Sequence, residues 1–203
     1  MSLWGRIFAS LYDRMLASTE EAGLREHRRA LLARASGRVL EIGAGTGLNL
    51  EHYGDGVTEL VLTEPEEAMA RRLRARLDRG EVVAAPADRL PFPDDSFDTV
   101  VSTLVLCVVP DQQRALAEIK RVLKPGGRFL FLEHVRSHDA KIAKRQDRLT
   151  PLWRHVGHGC HPNRDTAAAL TAAGFRLELE SWRLPKAPRF LEPAIEGAAT
   201  SPA

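Results

Sequence analysis

The chain has 203 residues, of which 44% are hydrophobic and 28% are charged. This composition is typical of soluble globular proteins, and the length predicts one domain, 1–203. Two cysteines cannot form a disulfide framework, which favours a reduced, cytoplasmic setting. Because the 29 basic and 27 acidic side chains are interspersed, we expect no nucleic-acid partner. No apolar stretch approaches the ~20 residues that span a bilayer, so we expect no integral membrane association. The sequence leaves the oligomeric state open.

The start of the chain predicts two helices. In the first, apolar residues recur at helical spacing, at Trp4, Ile7, Phe8, Leu11, Tyr12, Met15 and Leu16. The second is expected over about 19–34, before Ser36-Gly37 breaks the pattern. Such an apolar stripe must cover something. We interpret 1–36 as a helical lid over a binding cavity, with a passive cover of the sheet as the alternative.

Strands and helices alternate through 37–135, the expected ligand-binding core. Strands are predicted at 38–45, 60–63, 81–85, 97–103 and 128–134, and helices at 66–77 and 111–123. Lys124-Pro125-Gly126-Gly127 is a stop signal between the last helix and the last strand. This alternation indicates βαβ units, so we predict an α/β fold with a doubly wound, mostly parallel sheet.

The pattern is less regular through 136–203. Helices are expected at 141–149 and 164–172, separated by an irregular segment at 153–163, and strands at 175–182 and 190–197. We expect this part of the chain to complete the binding cavity.

Three glycines follow the first predicted strand. Gly43, Gly45 and Gly47 allow a ligand to approach the backbone closely at the carboxyl end of that strand, where open α/β sheets bind ligands. Their GxGxG spacing differs from the GxGxxG of dinucleotide sites, which disfavours a dinucleotide.

Glu64 ends the second predicted strand, 17 residues after Gly47. A carboxylate at this place can accept hydrogen bonds from both hydroxyls of a ribose, and it disfavours a phosphorylated ribose. The alternative is that Glu64 only caps the helix that follows. With the glycines, it predicts a nucleoside ligand.

Two further motifs follow, ADRLPFPDDSFD at 87–98 and RVLKPGG at 121–127. In motif order and spacing, 39–134 resembles the class I S-adenosylmethionine-dependent methyltransferases. The resemblance implies a Rossmann-like, seven-stranded sheet with an antiparallel edge strand near the carboxyl end. It also implies methyl transfer from S-adenosylmethionine to a small-molecule acceptor, with release of S-adenosylhomocysteine.

The resemblance further implies which residues bind this cofactor. The methionine moiety is expected to face Thr103, at the end of the fourth strand, and a group around the glycine loop: Glu41, Gly43, Ala44, Gly45 and Gly47. Glu64 is expected to hold the ribose, and Ala87 and Asp88 the adenine. Pro86 replaces the Asp or Asn that relatives often carry, so adenine recognition should depend more on Asp88 and the Ala87 backbone. Tyr12 is expected to touch the cofactor from the lid.

Four other segments, 11–17, 102–107, 131–135 and 153–160, are similar to parts of the membrane-associated alkyl thiol methyltransferases, the methyltransferase-like seven group. This likeness implies methylation of the sulfur of a small, fairly apolar thiol. Those relatives begin with a hydrophobic anchoring segment that we do not find in this sequence. Two alternatives stay open: an N- or O-methyltransferase acting on a small metabolite or phospholipid headgroup, and a cofactor-binding regulator without transferase activity.

A thiol acceptor must lose its proton, because the thiolate is the nucleophile and a free thiol has a pKa near ~8.5. His134, after the fifth strand at the carboxyl edge of the sheet, is the first candidate for the catalytic base. His158 and His161 are second candidates. The alternative for each is a structural, hydrogen-bonded histidine.

The two cysteines and the histidine-rich segment can also be interpreted as structural features. Cys107 is expected to be a small buried hydrophobe, and the alternative is a residue that binds or senses substrate. The segment around Cys160 reads HxxHxCH from His155, which matches no standard zinc spacing, so we expect no metal. We expect it to cap the acceptor pocket, with Trp153 as an apolar wall.

Overall fold

The computed structural model describes residues 3–200, without the side chains of residues 3–6 and 8. Seven strands form one sheet: β1 (Gly37–Ile42), β2 (Val57–Thr63), β3 (Glu81–Val83), β4 (Phe97–Thr103), β5 (Leu123–His134), β6 (Arg176–Arg183) and β7 (Pro193–Thr200). Their order is β3-β2-β1-β4-β5-β7-β6, and the pairs among β1 to β5 are parallel. The predicted seven-stranded, mostly parallel sheet is confirmed.

The antiparallel strand does not lie where we expected it. It is β7, which runs antiparallel to both of its neighbours, β5 and β6. The edge strand is β6, so the expectation of an antiparallel edge strand is wrong by one position. Along the chain β7 comes after β6, but in the sheet β7 lies between β5 and β6. The last strand in sequence is therefore interior, and β6 is at the edge.

The centre of the sheet is buried on both faces. Leu40 of β1 and Val100 of β4 belong to the core on one face, Val39 of β1 and Val101 of β4 belong to the core on the other, and all four are 0% exposed. Strands covered on both faces are near-continuous apolar runs, because helices pack on each side of a parallel sheet. Because β1, β2, β4 and β5 are parallel, their carboxyl ends meet at one edge of this buried core.

Within residues 3–200, six α-helices accompany the sheet: α1 (Leu3–Thr19), α2 (Arg25–Leu32), α3 (Glu67–Arg76), α4 (Gln112–Val122), α5 (Ala140–Val156) and α6 (Thr166–Ala172). Asp111, Asp139 and Asp165 cap α4, α5 and α6, each accepting a backbone N–H of the first turn. The single helix predicted over 19–34 is interrupted. A π-helical turn, Glu20–Leu24, joins α1 to α2 because Gly23 adopts a φ of 140°. Among the described helices, none is long and apolar enough to pass through a bilayer.

The apolar stripe of α1 is covered only in part. Ala9 is buried beside Met69 of α3, with Tyr12 packed against them. Ile7, Leu11 and Met15 are 40%, 41% and 50% exposed. The side chains of Trp4 and Phe8, which belong to the predicted stripe, lie outside the described residues. Helix α1 therefore packs on α3 near Tyr12, and the rest of the stripe that can be examined is partly exposed.

Helix α5 is longer than predicted. It continues through Pro151 to Val156, so Trp153 lies on a helix and not in the irregular segment we expected at 153–163. Proline removes one backbone donor but tertiary contacts can hold a helix across it. Here Gln146 anchors the helix, because its side-chain amide donates to the carbonyl oxygens of Val135, Pro162 and Phe190.

Other boundaries differ by a few residues. The last strand is Pro193–Thr200 and not 190–197. The strand expected at 128–134 begins at Leu123, which pairs with Phe97 before the register shifts and resumes at Arg128 opposite Thr99. The stop signal at 124–127 is thus an irregularity within β5.

Candidate active site

A cavity of about 400 Å³ opens at the carboxyl edge of the sheet, between α1 and the end of α5. This volume is in the ordinary range for small-molecule sites. Nine of the thirteen predicted site residues line it: Tyr12, Gly43, Gly45, Glu64, Ala87, Asp88, Thr103, His134 and His158. The structure therefore brings together most of what the motifs predict. Glu41, Ala44, Gly47 and His161 are not among the lining residues.

Glu64 joins the glycine loop to the start of α3. Its Oε2 accepts a hydrogen bond of 2.9 Å from the backbone N–H of Gly45, and its Oε1 accepts one of 2.8 Å from that of Glu66. Glu64 is 7% exposed, and burial raises the pKa of its carboxyl. Each oxygen retains a second lone pair. Glu64 therefore serves the helix start, as the structural alternative proposed, and can still accept two hydroxyl groups from the cavity.

The three glycines have different neighbours. A Cβ at Gly43 would stand 2.8 Å from both methyl groups of Val105, and one at Gly47 would stand 2.8 Å from Leu50 Cδ1. Gly45 also has a positive φ, 59°, but a Cβ there would meet only Tyr12 Cε1, at 3.9 Å. Gly43 and Gly47 are thus required for packing, whereas a side chain at Gly45 would enter the cavity.

Glu41 does not reach the cavity, which corrects its predicted position. It is 2% exposed and accepts hydrogen bonds of 2.8 Å from Asn49 Nδ2 and 2.7 Å from the Tyr53 hydroxyl. Burial raises the pKa of Glu41 to about 7. Asn49 Nδ2 also donates to Thr103 Oγ1 at 2.9 Å. Glu41 therefore supports Thr103 from behind through Asn49.

Arg28 is a site residue that the sequence did not reveal. It is 2% exposed, and its Nη1 donates to Thr103 Oγ1 at 2.8 Å and to Asn49 Oδ1 at 3.0 Å, while its Nε pairs with Glu20 at 2.9 Å. The two bonds to Thr103 use the lone pairs of its oxygen and leave its proton available to a ligand. Nothing in the pattern of one arginine on an amphipathic helix signals this role.

Tyr12 lines the cavity from α1. Burial raises the pKa of its phenol to about 12. The phenol is therefore protonated at neutral pH, and Tyr12 presents a neutral side chain to the cavity.

His134 stands against both cysteines on the other side of the cavity. Its Nδ1 lies 3.7 Å from Cys160 Sγ and 4.0 Å from Cys107 Sγ. A hydrogen bond shared with Cys160, together with burial, holds the pKa of Cys107 well above its usual range. The hydrogen bond from Cys107, aided by His134, lowers the pKa of Cys160. Cys107 is buried, as predicted, but it is part of a polar cluster and not merely a small hydrophobe.

Glu133 positions Cys107 and was also missed from the sequence. It is 0% exposed and accepts hydrogen bonds from the Ser102 hydroxyl and from the backbone N–H groups of Val105, Leu106 and Cys107. Burial raises the pKa of this carboxyl. One buried carboxylate thus fixes the turn that follows β4.

The other two predicted histidines differ in position. His158 lines the cavity. His161 does not, and its backbone N–H donates to the carbonyl oxygen of Cys107 at 2.7 Å. Its contribution to the site is therefore structural, through the main chain, and the structure gives no support to His161 as a base.

Sequence and structure comparisons agree with this arrangement. A family profile described as a methyltransferase domain matches residues 40–131. The chain is 33% identical to the thiol S-methyltransferase TMT1A of Homo sapiens, over 95% of this chain and 82% of that protein. It is 35% identical to the thiol S-methyltransferase TMT1B of Rattus norvegicus, over 72% of this chain but only 63% of that protein. The chain belongs to the class I S-adenosylmethionine-dependent methyltransferases.

Other methyltransferases are also similar. The phosphatidylethanolamine N-methyltransferase of Cereibacter sphaeroides is 30% identical over 84% of both chains. The crystal structure of an S-adenosylmethionine-dependent methyltransferase from Thermotoga maritima superposes with a TM-score of 0.73, at 22% identity and 97% coverage of both chains. The structural likeness shows the fold, and the family relation makes S-adenosylmethionine the cofactor and S-adenosylhomocysteine its product.

The residues of this methyltransferase fit that cofactor. The open space beside Gly45 and the free lone pairs of Glu64 suit a nucleoside, because a ribose needs close backbone approach and acceptors for its hydroxyl groups. When bound, the cofactor supplies an activated methyl group. The chain has to orient the acceptor sulfur, nitrogen or oxygen and exclude water.

Proposed function

We propose that this protein is a thiol S-methyltransferase that acts on a small, apolar thiol. The observation that carries the proposal is the lining of the cavity beyond the glycine loop. The described residues there are apolar or bear sulfur or imidazole: Cys107, Val108, Val109, Pro110, His134, Trp153, His158 and Cys160. None of these eight residues is a carboxylate, which a cationic amine would be expected to need. The carboxylates that line the cavity, Glu64, Glu66 and Asp88, belong in this proposal to the half that holds the cofactor.

We assign the cofactor to the opposite half of the cavity. In this proposal Glu64 accepts the ribose hydroxyl groups, Ala87 and Asp88 contact the adenine, and Thr103 donates its proton to the methionine part. Gly45 allows close approach of the backbone. Tyr12 closes the cavity from α1, which acts as the lid. These roles are supported by where the side chains lie and by the lone pairs and protons that Glu64 and Thr103 have left.

The acceptor thiol must be deprotonated near the methyl group. Two imidazoles line the cavity and are the proposed proton acceptors, His134 first and His158 second. Exclusion of water and alignment of the two reactants can together supply ~7 to 11 kcal/mol of the barrier. The chemistry therefore asks little more of the chain than a thiolate in the correct place.

The similarity to a phosphatidylethanolamine N-methyltransferase supports a second candidate, methylation of the amine of a small metabolite or lipid headgroup. The test is to incubate the protein with S-adenosylmethionine and a panel of alkyl and aryl thiols, amines and phenols, and to measure S-adenosylhomocysteine. We expect turnover with apolar thiols. Turnover confined to amines or phenols would support the second candidate, and cofactor binding without turnover of any acceptor would indicate a regulator.

A matched pair of variants links turnover to the cavity. We expect H158N to reduce thiol turnover, because His158 lines the cavity. H155N serves as its control, because His155 lies on the exposed end of the same segment. Equal loss in both variants would mean that the histidines act through stability alone.

A further inference from the structure

Three metal-ligating side chains meet in this cavity from distant parts of the chain. Cys107 lies in the turn after β4, His134 ends β5, and Cys160 follows α5. Their ligand atoms, two Sγ and Nδ1, all lie within 4.8 Å of one another. The HxxHxCH spacing argues against a zinc site whose ligands all come from that segment. In the fold, Cys160 lies beside two residues from outside the segment, Cys107 and His134.

We infer that Cys107, His134 and Cys160 form a zinc site whose open fourth position faces the cavity and receives the acceptor thiol as a thiolate. The metal site itself depends only on these three residues. The part that concerns the acceptor rests on the proposed thiol S-methyltransferase activity.

The interatomic distances fit a tetrahedral site. With Zn–S bonds of ~2.3 Å and Zn–N bonds of ~2.0 to 2.1 Å, neighbouring ligand atoms are about 3.5 to 3.8 Å apart. His134 Nδ1 lies 3.7 Å from one sulfur and 4.0 Å from the other. Binding an ion therefore requires side-chain shifts of less than about 1 Å, given the 4.8 Å limit on the trio.

The backbone beneath the trio is held in place. Glu133 fixes the N–H groups from 105 to 107, and the Cys107 carbonyl oxygen accepts from His161 N at 2.7 Å. Cys160 N donates to Gly157 O at 3.0 Å. His134 lies in the β5–β7 ladder opposite Ala194. A site built on such rigid supports does not need large ordering on metal binding.

The imidazole of His134 presents one of its two nitrogens to the cysteines. Its Nδ1 faces both sulfurs, at 3.7 Å and 4.0 Å. Nδ1 can therefore coordinate an ion that lies between the three ligand atoms.

All three side chains line the cavity, so the fourth position of the ion would face the acceptor. Three protein ligands with an open position are typical of catalytic zinc, whereas structural zinc sites are closed by a fourth. Soft sulfur and imidazole ligands favour zinc over magnesium or calcium. Both cysteines would bind the ion as thiolates, so any thiol proton they hold is released on binding.

Atoms and electrons balance in the reaction at such a site. The acceptor thiol binds the ion and releases its proton to solvent, because a coordinated thiol is deprotonated outright. Its sulfur forms a bond to the methyl carbon, and the bond from that carbon to the sulfonium sulfur breaks with its electron pair on the latter. The products are a neutral thioether and S-adenosylhomocysteine. In this form His134 is a ligand, and the metal takes over the role of the base.

The metal site is tested in the absence of both S-adenosylmethionine and an acceptor thiol. Reduced, chelator-treated protein is titrated anaerobically with Co²⁺, and thiolate-to-cobalt charge-transfer absorption is recorded. We expect one equivalent to produce this band together with the visible bands of a tetrahedral ion, and Zn²⁺ to displace them. Folded, reduced wild-type protein without the band would overturn the proposal.

Variants locate the ion. C107S, C160S and H134N should each weaken Co²⁺ binding at least tenfold, whereas the exposed H155N should bind as the wild type does. Circular dichroism and thermal melting establish that each variant is folded. The two serine variants act on separate segments, so an unfolded C107S leaves C160S as the test. Undiminished binding in both folded serine variants would place the ion elsewhere and contradict the assignment.

A final experiment tests whether the acceptor thiol binds the metal ion. Butanethiol is added to the cobalt-loaded protein, and we expect the charge-transfer absorption to increase as a third sulfur binds. An unchanged spectrum, or equal thiol turnover by metal-free and zinc-loaded enzyme, would overturn the role in acceptor activation. Because the cobalt titration contains no cofactor, its outcome does not depend on whether the enzyme methylates thiols.

Discussion

The carboxylate of Asp13 fastens helix α1 to the glycine loop through Thr46. Asp13 Oδ1 accepts a hydrogen bond of 2.6 Å from the Thr46 hydroxyl, and Asp13 Oδ2 pairs with Arg76 Nη2 at 2.6 Å. Arg76 also donates to the Thr46 carbonyl oxygen at 3.1 Å. Since Tyr12 next to Asp13 lines the cavity, Asp13 ties the helix that carries Tyr12 to the glycine loop.

We expect D13A to weaken S-adenosylhomocysteine binding by about five- to tenfold, because hydrogen bonds to charged groups contribute ~1.5 to 3 kcal/mol and this one is partly exposed. Isothermal calorimetry measures the change. E59Q is the control, since it removes a surface ion pair, Arg38–Glu59, from another part of the sheet. Equal affinities in D13A and E59Q would show that the fastening of α1 does not affect the cofactor.

Gly45 and Gly126 are a matched pair of positions for testing whether the glycine loop contacts the cofactor. Both have positive φ, 59° and 73°, but a Cβ at Gly126 would meet nothing within 4 Å, whereas one at Gly45 would stand in the cavity. Alanine at either position should cost ~1 to 2 kcal/mol of stability from the left-handed backbone alone. Only G45A should also lose cofactor affinity, by more than tenfold in calorimetry. Wild-type affinity in folded G45A would contradict close approach at this loop.

The sequence predicted what local patterns encode. The alternating strands and helices, the glycine loop and Glu64 could be predicted because hydrophobic periodicity and turn residues are signals carried by residues close together in sequence. The buried contacts around the cavity do not, since Arg28 and Thr103 are 75 positions apart and His134 lies 26 positions from Cys160. Such pairs depend on how the elements pack. The end of α5 was missed for a similar reason, because the anchoring of Gln146 outweighs the local signal of Pro151.

The buried ion pair of Arg28 with Glu20 should be important for stability. Their side chains are 3% and 7% exposed, so R28M leaves a carboxylate buried without its partner. Removing one member of such a pair costs ~3 to 5 kcal/mol. R29M on the same helix breaks the exposed pair Arg29–Glu26 and should change stability by less than about 1 kcal/mol. Urea denaturation measures both.

The double variant E20Q/R28M checks the cause of that loss. If the uncompensated charge of Glu20 is responsible, the double variant should be more stable than R28M alone, since the effects of two residues in contact are not additive. A double variant that is less stable than R28M would instead indicate that the bonds of Arg28 to Asn49 and Thr103 dominate.

Glu41 should make stability depend on pH. Burial raises its pKa in the folded protein from an ordinary value near 4.5 to about 7. At pH values between these two, the folded protein keeps the proton of Glu41, whereas the unfolded chain has lost it. The contribution is fully present below pH ~4.5, is lost as pH rises towards ~7, and has a slope of at most ~1.4 kcal/mol per pH unit. E41Q cannot titrate, and its amide can still accept from one neighbour and donate to the Tyr53 oxygen. Denaturation midpoints from pH 5 to 8 should therefore fall less steeply in E41Q than in the wild type, and parallel pH profiles would mean that Glu41 ionises at its ordinary pKa despite its burial.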